Sequence, residues 1–234
     1  MKKAFLLLTV YFWASYACFG HEGNIEFPRW ITVSGHGEIS APPDMAILRL
    51  GVLTTAKTAK LATELNNQLI LQIFKALEAA EIPSDDFETS RFQLTPQREY
   101  RKGLSPLITG YQVTNSLIVR IYDLDRVGEI MQEAVDAGGN NFESLSFVVE
   151  DDQEFVEEAR MQAMEDAFNK AKVLANTLDA TVGEPITIQE ISGHHRPGVE
   201  RRMMQSDAMM ASVPVQAPSG LKTHVQVQVK FALE

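Results

Sequence analysis

Cysteine is almost absent from this chain. Its 234 residues hold one, Cys18, and that one lies near the N-terminus, in a stretch that does not read as part of the fold. Without a second thiol there is no intrachain disulfide. If cleavage follows Cys18, thiol catalysis and iron–sulfur chemistry drop out as well. Positive charge is also short: 21 Lys and Arg stand against 31 Asp and Glu, a net charge of −10. Such a surface repels phosphate, so charge-driven binding to nucleic acid or to anionic headgroups is not expected. No apolar run reaches the roughly 20 residues that a membrane-spanning helix needs. What remains is ordinary globular composition, 45% hydrophobic and 22% charged, with material for a substantial core.

The longest apolar run is Ala4 to Ala14, broken only by Thr9. Met1-Lys2-Lys3 precedes it and the small residues of Ser15 to Gly20 follow. Positive start, short apolar centre and small-residue end are the plan of a secretory signal peptide over residues 1–20. Cleavage removes Lys2 and Lys3 and takes the charge from −10 to −12. Ser15-Tyr16-Ala17-Cys18 is similar to a bacterial lipobox, with Ser15 where leucine is usual. Lipid attachment at Cys18 is therefore the lesser alternative, and one acyl chain is a weak anchor. Residues 21–30 form a short N-terminal segment, and the domain is expected over 31–234.

Hydrophobic spacing sets out the elements. Ile31–Val33 begins a short strand, Pro42-Pro43 interrupts it, and Met45 to Thr54 resumes with Ala46, Leu48, Leu50 and Val52 on one face. Thr58 to Ala80 reads as an amphipathic helix whose stripe is Leu61, Leu65, Leu69, Ile73, Leu77 and Ala80, ended by Pro83. Strands are expected over 87–100 and 109–122, joined by the turn-forming segment 101–106. Asp123 is placed to cap a short helix that Gly138-Gly139 stops, and Leu145 to Val149 reads as a strand. A second long helix follows Asp151-Asp152 and runs to about Leu178. Its apolar residues are Phe155, Ala159, Ala163, Ala167, Ala171, Leu174 and Leu178, and its alanines permit close packing on a sheet. Asp166 and Lys170 are spaced to support it. Glu184 to Ile191 is a strand. Residues 194–220 form a Met-rich loop, and Thr223 to Phe231 alternates apolar and polar without a break. The result is an α+β fold of paired antiparallel strands with long amphipathic helices packed on the sheet, in the order β-β-α-β-β-α-β-α-β-β. There are hints of two β-α-β halves joined near Asp123, without a clean repeat.

Gly35-His36-Gly37 looks like the start of a dinucleotide loop. That fingerprint needs a helix start after its glycines. Here Ala41-Pro42-Pro43 and another strand follow, so no set of backbone N–H groups converges on a phosphate. Glycines at a strand bulge or bend are the better account.

Val33, Ser34, Gly35, Gly37, Pro43 and Asp44 together resemble the opening signature of the SIMPL-domain family. Thr89, Ser90, Phe92, Leu94, Pro96 and Tyr100 resemble its T-S-x-F-x-L-x-P-x-x-x-Y strand. The block from Gly110-Tyr111 to Phe147 follows the family's long central segment, with Gly139 where alanine is usual. Residues 158–178 resemble its Ala-rich helix. These blocks agree in order over residues 31 to 233, and the chain is identified as a member of the bacterial periplasmic branch. Members of that branch are immunogenic or oxidative-stress defence proteins, and one resembles a ring- or channel-like homo-oligomer. The resemblance implies a periplasmic location and a role in envelope or oxidative-stress tolerance. It brings no catalytic residue to carry over.

The residues themselves offer few alternatives. His194 and His195, with Met203, Met204, Met209 and Met210 in the same loop, are the candidate metal ligands, since imidazole and thioether suit copper. The methionines also fit an oxidant sink or an adaptable contact surface. His36 and Glu38 fall on one strand face, but with no nucleophile beside them. His224 reads as solvent-facing. Asp85, Asp86 and Glu88 lack the oxygen spacing and glycine of a calcium loop and read as a solvated turn. No cofactor and no small-molecule substrate are expected. The reading is a non-enzymatic secreted protein whose partner is itself, with the outer membrane as a second surface. The alternative is a copper-binding or methionine-based oxidant-scavenging protein.

Overall fold

The computed structural model describes residues 29–191, 199–202 and 215–234. Along the chain run β1 (Trp30–Ala41), β2 (Met45–Ala56), α1 (Ala59–Ala79), β3 (Phe87–Glu99), β4 (Leu107–Ile121), α2 (Val127–Asp136), β5 (Asn141–Val148), α3 (Gln153–Asn176), β6 (Val182–Glu190), β7 (Val199–Arg202) and β8 (Leu221–Leu233). The fold is α+β with antiparallel strands. It adds one short strand, β7, inside the stretch expected to be loop. The signal peptide, Cys18, His194, His195 and the four loop methionines lie outside the described residues.

The strands form two sheets, ordered β1-β8-β6 and β3-β4-β2-β5-β7. This corrects the expectation of helices on a single sheet face. It also replaces a division near Asp123, because the first and last strands pair along their whole length, from Trp30↔Ala232 to Ala41↔Leu221. Each sheet has its own core. Leu48, Leu50, Leu117 and Leu145 of the larger sheet pack with Ile73 and Leu77 of α1 and Ile130 of α2. Val225, Val227, Val229 and Phe231 of β8 pack with the alanines of α3. The alternation read in the last strand is the burial pattern of β8, apolar residues in and Lys222, His224 and Gln228 out.

Gly35 and Gly37 sit inside an uninterrupted β1, paired with Val227 and Val225. They are neither bulge nor bend. A Cβ on Gly35 would collide with the carbonyl oxygen of Ala163, and one on Gly37 with that of Ala159. The glycines let α3 lie directly on the strand. Ala159, Ala163, Ala167, Ala171 and Ala175 form the buried side of the helix, while Leu174 and Leu178, expected on that face, are exposed. At so short a separation only the smallest side chains fit between helix and strand.

The stripe of α1 also differs from expectation. Leu61 and Leu65 are exposed, and Ala62, Asn66, Ile70, Ile73 and Leu77 are buried. The buried row steps by four, four, three and four, close to 3.6 residues per turn, whereas the row from Leu61 to Leu77 steps by four throughout and departs from it toward the N-terminus. The first turns are held instead by polar contacts. Thr58 caps the helix by accepting from the N–H of Leu61 at 3.2 Å. The Thr54 hydroxyl donates to the Ala62 carbonyl at 2.8 Å, and the Asn66 amide donates to the Val52 carbonyl at 3.0 Å.

Candidate interaction surface

The larger sheet reaches beyond the helices that cover it. β3 and β4 form a long hairpin, and β3 has no fully buried residue. Its register places Phe92 opposite Asn115 and Leu94 opposite Val113. Asn115 and Val113 are buried on the helix-facing side of the sheet. Phe92 and Leu94 therefore face the same way, yet they are 52% and 42% exposed. The helices that bury Asn115 and Val113 leave Phe92 and Leu94 about half open to solvent. Leu104, Leu107 and Ile108 extend this apolar exposure toward the hairpin tip, beside exposed Tyr100. The sequence shows the strand and its alternation, but not that α1 stops short of covering it.

Charge is polarised along the same strand. Asp85 and Asp86 form a single 3-10 turn just before β3, and Glu88 begins it. Arg98 lies near its end, and Arg101 and Lys102 follow in the turn. Glu88 accepts from the Arg120 guanidinium at 2.8 Å, and Arg101 pairs with Glu99 at 2.8 Å. The acidic residues read as a solvated turn are indeed exposed or partly so, and they form one pole of this strand.

The other polar candidates gather on the smaller sheet. His36 and Glu38 do not form a pair with each other. The backbone N–H of His36 donates to Asp166 Oδ2 at 2.8 Å, and its ring Nδ1 lies 3.8 Å from the same oxygen. Glu38 instead meets Lys222 Nζ at 2.6 Å and His224 Nδ1 at 3.2 Å across the β1–β8 pair. The Lys222 ammonium holds the Glu38 carboxyl below the usual carboxylate range. His224 stays exposed but has this carboxylate as its neighbour. Asp166 is lowered by Lys170 first and by the His36 N–H second. Lys170 also donates to the Ser34 carbonyl at 3.2 Å. Asp166 and Lys170 thus do more than support their own helix: they engage the His36 N–H and the Ser34 carbonyl at the middle of β1. Among the described residues no group of three or more His, Cys, Asp or Glu is placed to hold a metal ion.

Two signature residues have structural work. Asp44 Oδ1 accepts from the Glu150 N–H at 2.8 Å and ties the start of β2 to the end of β5. The Asn140 side chain accepts from the Leu53 N–H at 2.7 Å and donates to its carbonyl at 3.0 Å, continuing the β5 edge beside β2 past a register shift.

Two helix-backed antiparallel sheets, the smaller one built on the pairing of first and last strands, define the class: an α+β protein whose signature residues hold the fold together. The chain belongs to the SIMPL family, described as a protein of unknown function (DUF541), whose family model matches residues 31–231. It is 36% identical over 215 residues to the 26 kDa periplasmic immunogenic protein of Brucella melitensis, covering 88% of this chain and 86% of that one. It is 27% identical over 205 residues to the uncharacterized protein YggE of Escherichia coli, covering 87% and 83%. Neither name carries an enzymatic activity. No helix among the described residues is long and apolar enough to cross a membrane.

Proposed function

We propose that this chain is a secreted, non-enzymatic periplasmic protein that works as a homo-oligomer, ring- or channel-like in form, in envelope or oxidative-stress tolerance. The observation that carries the self-assembly is the β3–β4 hairpin, where Phe92 and Leu94 lie on the helix-facing side of the sheet and are still exposed, with Leu104, Leu107 and Ile108 exposed near its tip. Exposed apolar side chains that share one sheet face mark a candidate site of association. The periplasmic location is supported by the printed name of the Brucella relative and by the leader pattern of residues 1–20. The stress role rests on the family resemblance.

Light scattering on the processed protein after gel filtration tests the assembly. A defined multiple of the monomer mass is expected. A monomer over a wide concentration range would overturn the reading. It would bring forward the alternative centred on His194, His195, Met203, Met204, Met209 and Met210. That alternative predicts copper binding, or protection against peroxide, that is lost when the four methionines become leucine.

A further inference from the structure

A sheet edge invites another strand unless something blocks it, and the four edges here differ in that respect. β1 is covered at its middle, where Asp166 accepts from the His36 N–H and Lys170 donates to the Ser34 carbonyl. β6 carries Pro185 and two register irregularities, at Val182/Pro185 and Pro185/Thr187. β7 is four residues long. β3 also has a proline, Pro96, and two register irregularities, at Thr89/Arg91 and Gln97/Arg98, but it is thirteen residues long and its ladder is regular over seven residues, Arg91 to Gln97, against four in β6, Thr187 to Glu190.

The direction of its backbone groups follows from alternation. Leu53 spends its N–H and C=O on Asn140, on the side away from β4. Its β4 partner Thr114 therefore turns its own groups away from β2, toward β3, where it faces Gln93. The Ser116 carbonyl, two residues on, points the same way and accepts from the Ser90 hydroxyl at 3.1 Å. Gln93 thus bonds inward to β4, and Phe92 and Leu94 present N–H and C=O to the free edge. Pro96 falls in the same outward set, where its missing N–H costs the ladder nothing.

We propose that a second copy of this chain adds at this edge, β3 to β3 and antiparallel, about a two-fold axis through Gln93. The inference rests on the self-assembly reading and names one contact of it: a two-fold contact closes a dimer, and a ring needs a second contact elsewhere on the chain. In that register Phe92 of one copy exchanges backbone bonds with Leu94 of the other, twice by symmetry. Their side chains, exposed in one copy, meet as cross-strand apolar pairs on the helix-facing side. The strand's polarity selects the direction. Antiparallel pairing brings the net acidic start, Asp85, Asp86 and Glu88 against Arg91, toward the net basic end, Arg98, Arg101 and Lys102 against Glu99, of the other copy. Parallel pairing would set like charge on like.

The test uses single thiols. Gln93→Cys, made together with Cys18→Ser, places one cysteine on the axis, in a closely spaced non-hydrogen-bonded pair suited to a disulfide. Thr95→Cys in the same background lies on the same face but four residues from its symmetry mate, about 13 Å at strand rise. After diamide oxidation, most of the Gln93→Cys protein is expected as a covalent dimer on a non-reducing gel, and the Thr95→Cys protein as monomer. Equal cross-linking of both would overturn the two-fold register. Cross-linking of neither, in protein that light scattering shows to be a multimer, would overturn β3 as the contact and leave self-assembly standing. A monomer by light scattering would overturn both.

Discussion

Gly35 and Gly37 show how much a missing Cβ decides. In the sequence they resemble half of a phosphate loop, and the missing helix start removes that reading. Their actual role lies in a contact 120 to 130 residues away, with the backbone of Ala159 and Ala163. Gly35→Ala or Gly37→Ala is expected to cost at least about 1–3 kcal/mol, because the added methyl meets helix backbone that cannot step aside. Urea denaturation reads this directly, and an unchanged midpoint would contradict the close approach. Asp166 gives a pH-dependent prediction. Its pKa is lowered in the folded state by Lys170 and the His36 N–H. The stability it contributes is therefore fully present above the ordinary aspartate pKa and is lost as pH falls through the lowered value. Asp166→Asn should be less stable than wild type at pH 7, with the gap closing below about pH 3.9. A gap of constant size from pH 7 to pH 3 would show that the carboxylate charge contributes nothing.

Elements were legible where one period ran unopposed. β8 alternates without a break, and its burial follows that alternation. β1 reads too short because two of its inward positions are glycines, which carry no hydrophobic signal. α1 reads with the right span but a rotated face, since a row of leucines four apart outweighed Thr54, Asn66 and their backbone contacts. α3 shows the inverse case: its alanines are buried and Leu174 and Leu178 are exposed, because the helix approaches the strand too closely for anything larger. The partition into two sheets was not legible, since it depends on which strands pair across nearly the whole chain. At this scale the Asn140 side chain stands in for strand backbone. Asn140→Ala is expected to cost about 1 kcal/mol, water replacing both bonds to Leu53 only in part. Amide exchange at Leu53 should rise with it, and an unaltered rate would place the β2–β5 junction's stability elsewhere.

The candidate surface belongs to the whole molecule, and the sequence carries only its ingredients. Phe92 and Leu94 read as ordinary inward residues of a strand. Only the placement of α1 leaves them bare, and only the comparison of four sheet edges picks out β3. Because Phe92 is exposed in one copy, Phe92→Arg is expected to leave the monomer's stability within about 0.5 kcal/mol and to lower the mass in solution by breaking the assembly. A variant that remains fully assembled would remove Phe92 from the contact. The most direct measurement is hydrogen exchange at the Phe92 and Leu94 amides as a function of protein concentration. Those N–H groups face the free edge in one copy and are bonded in the proposed pair. The account predicts protection that grows with concentration, together with the mass. Rapid exchange of both amides at every concentration would contradict it.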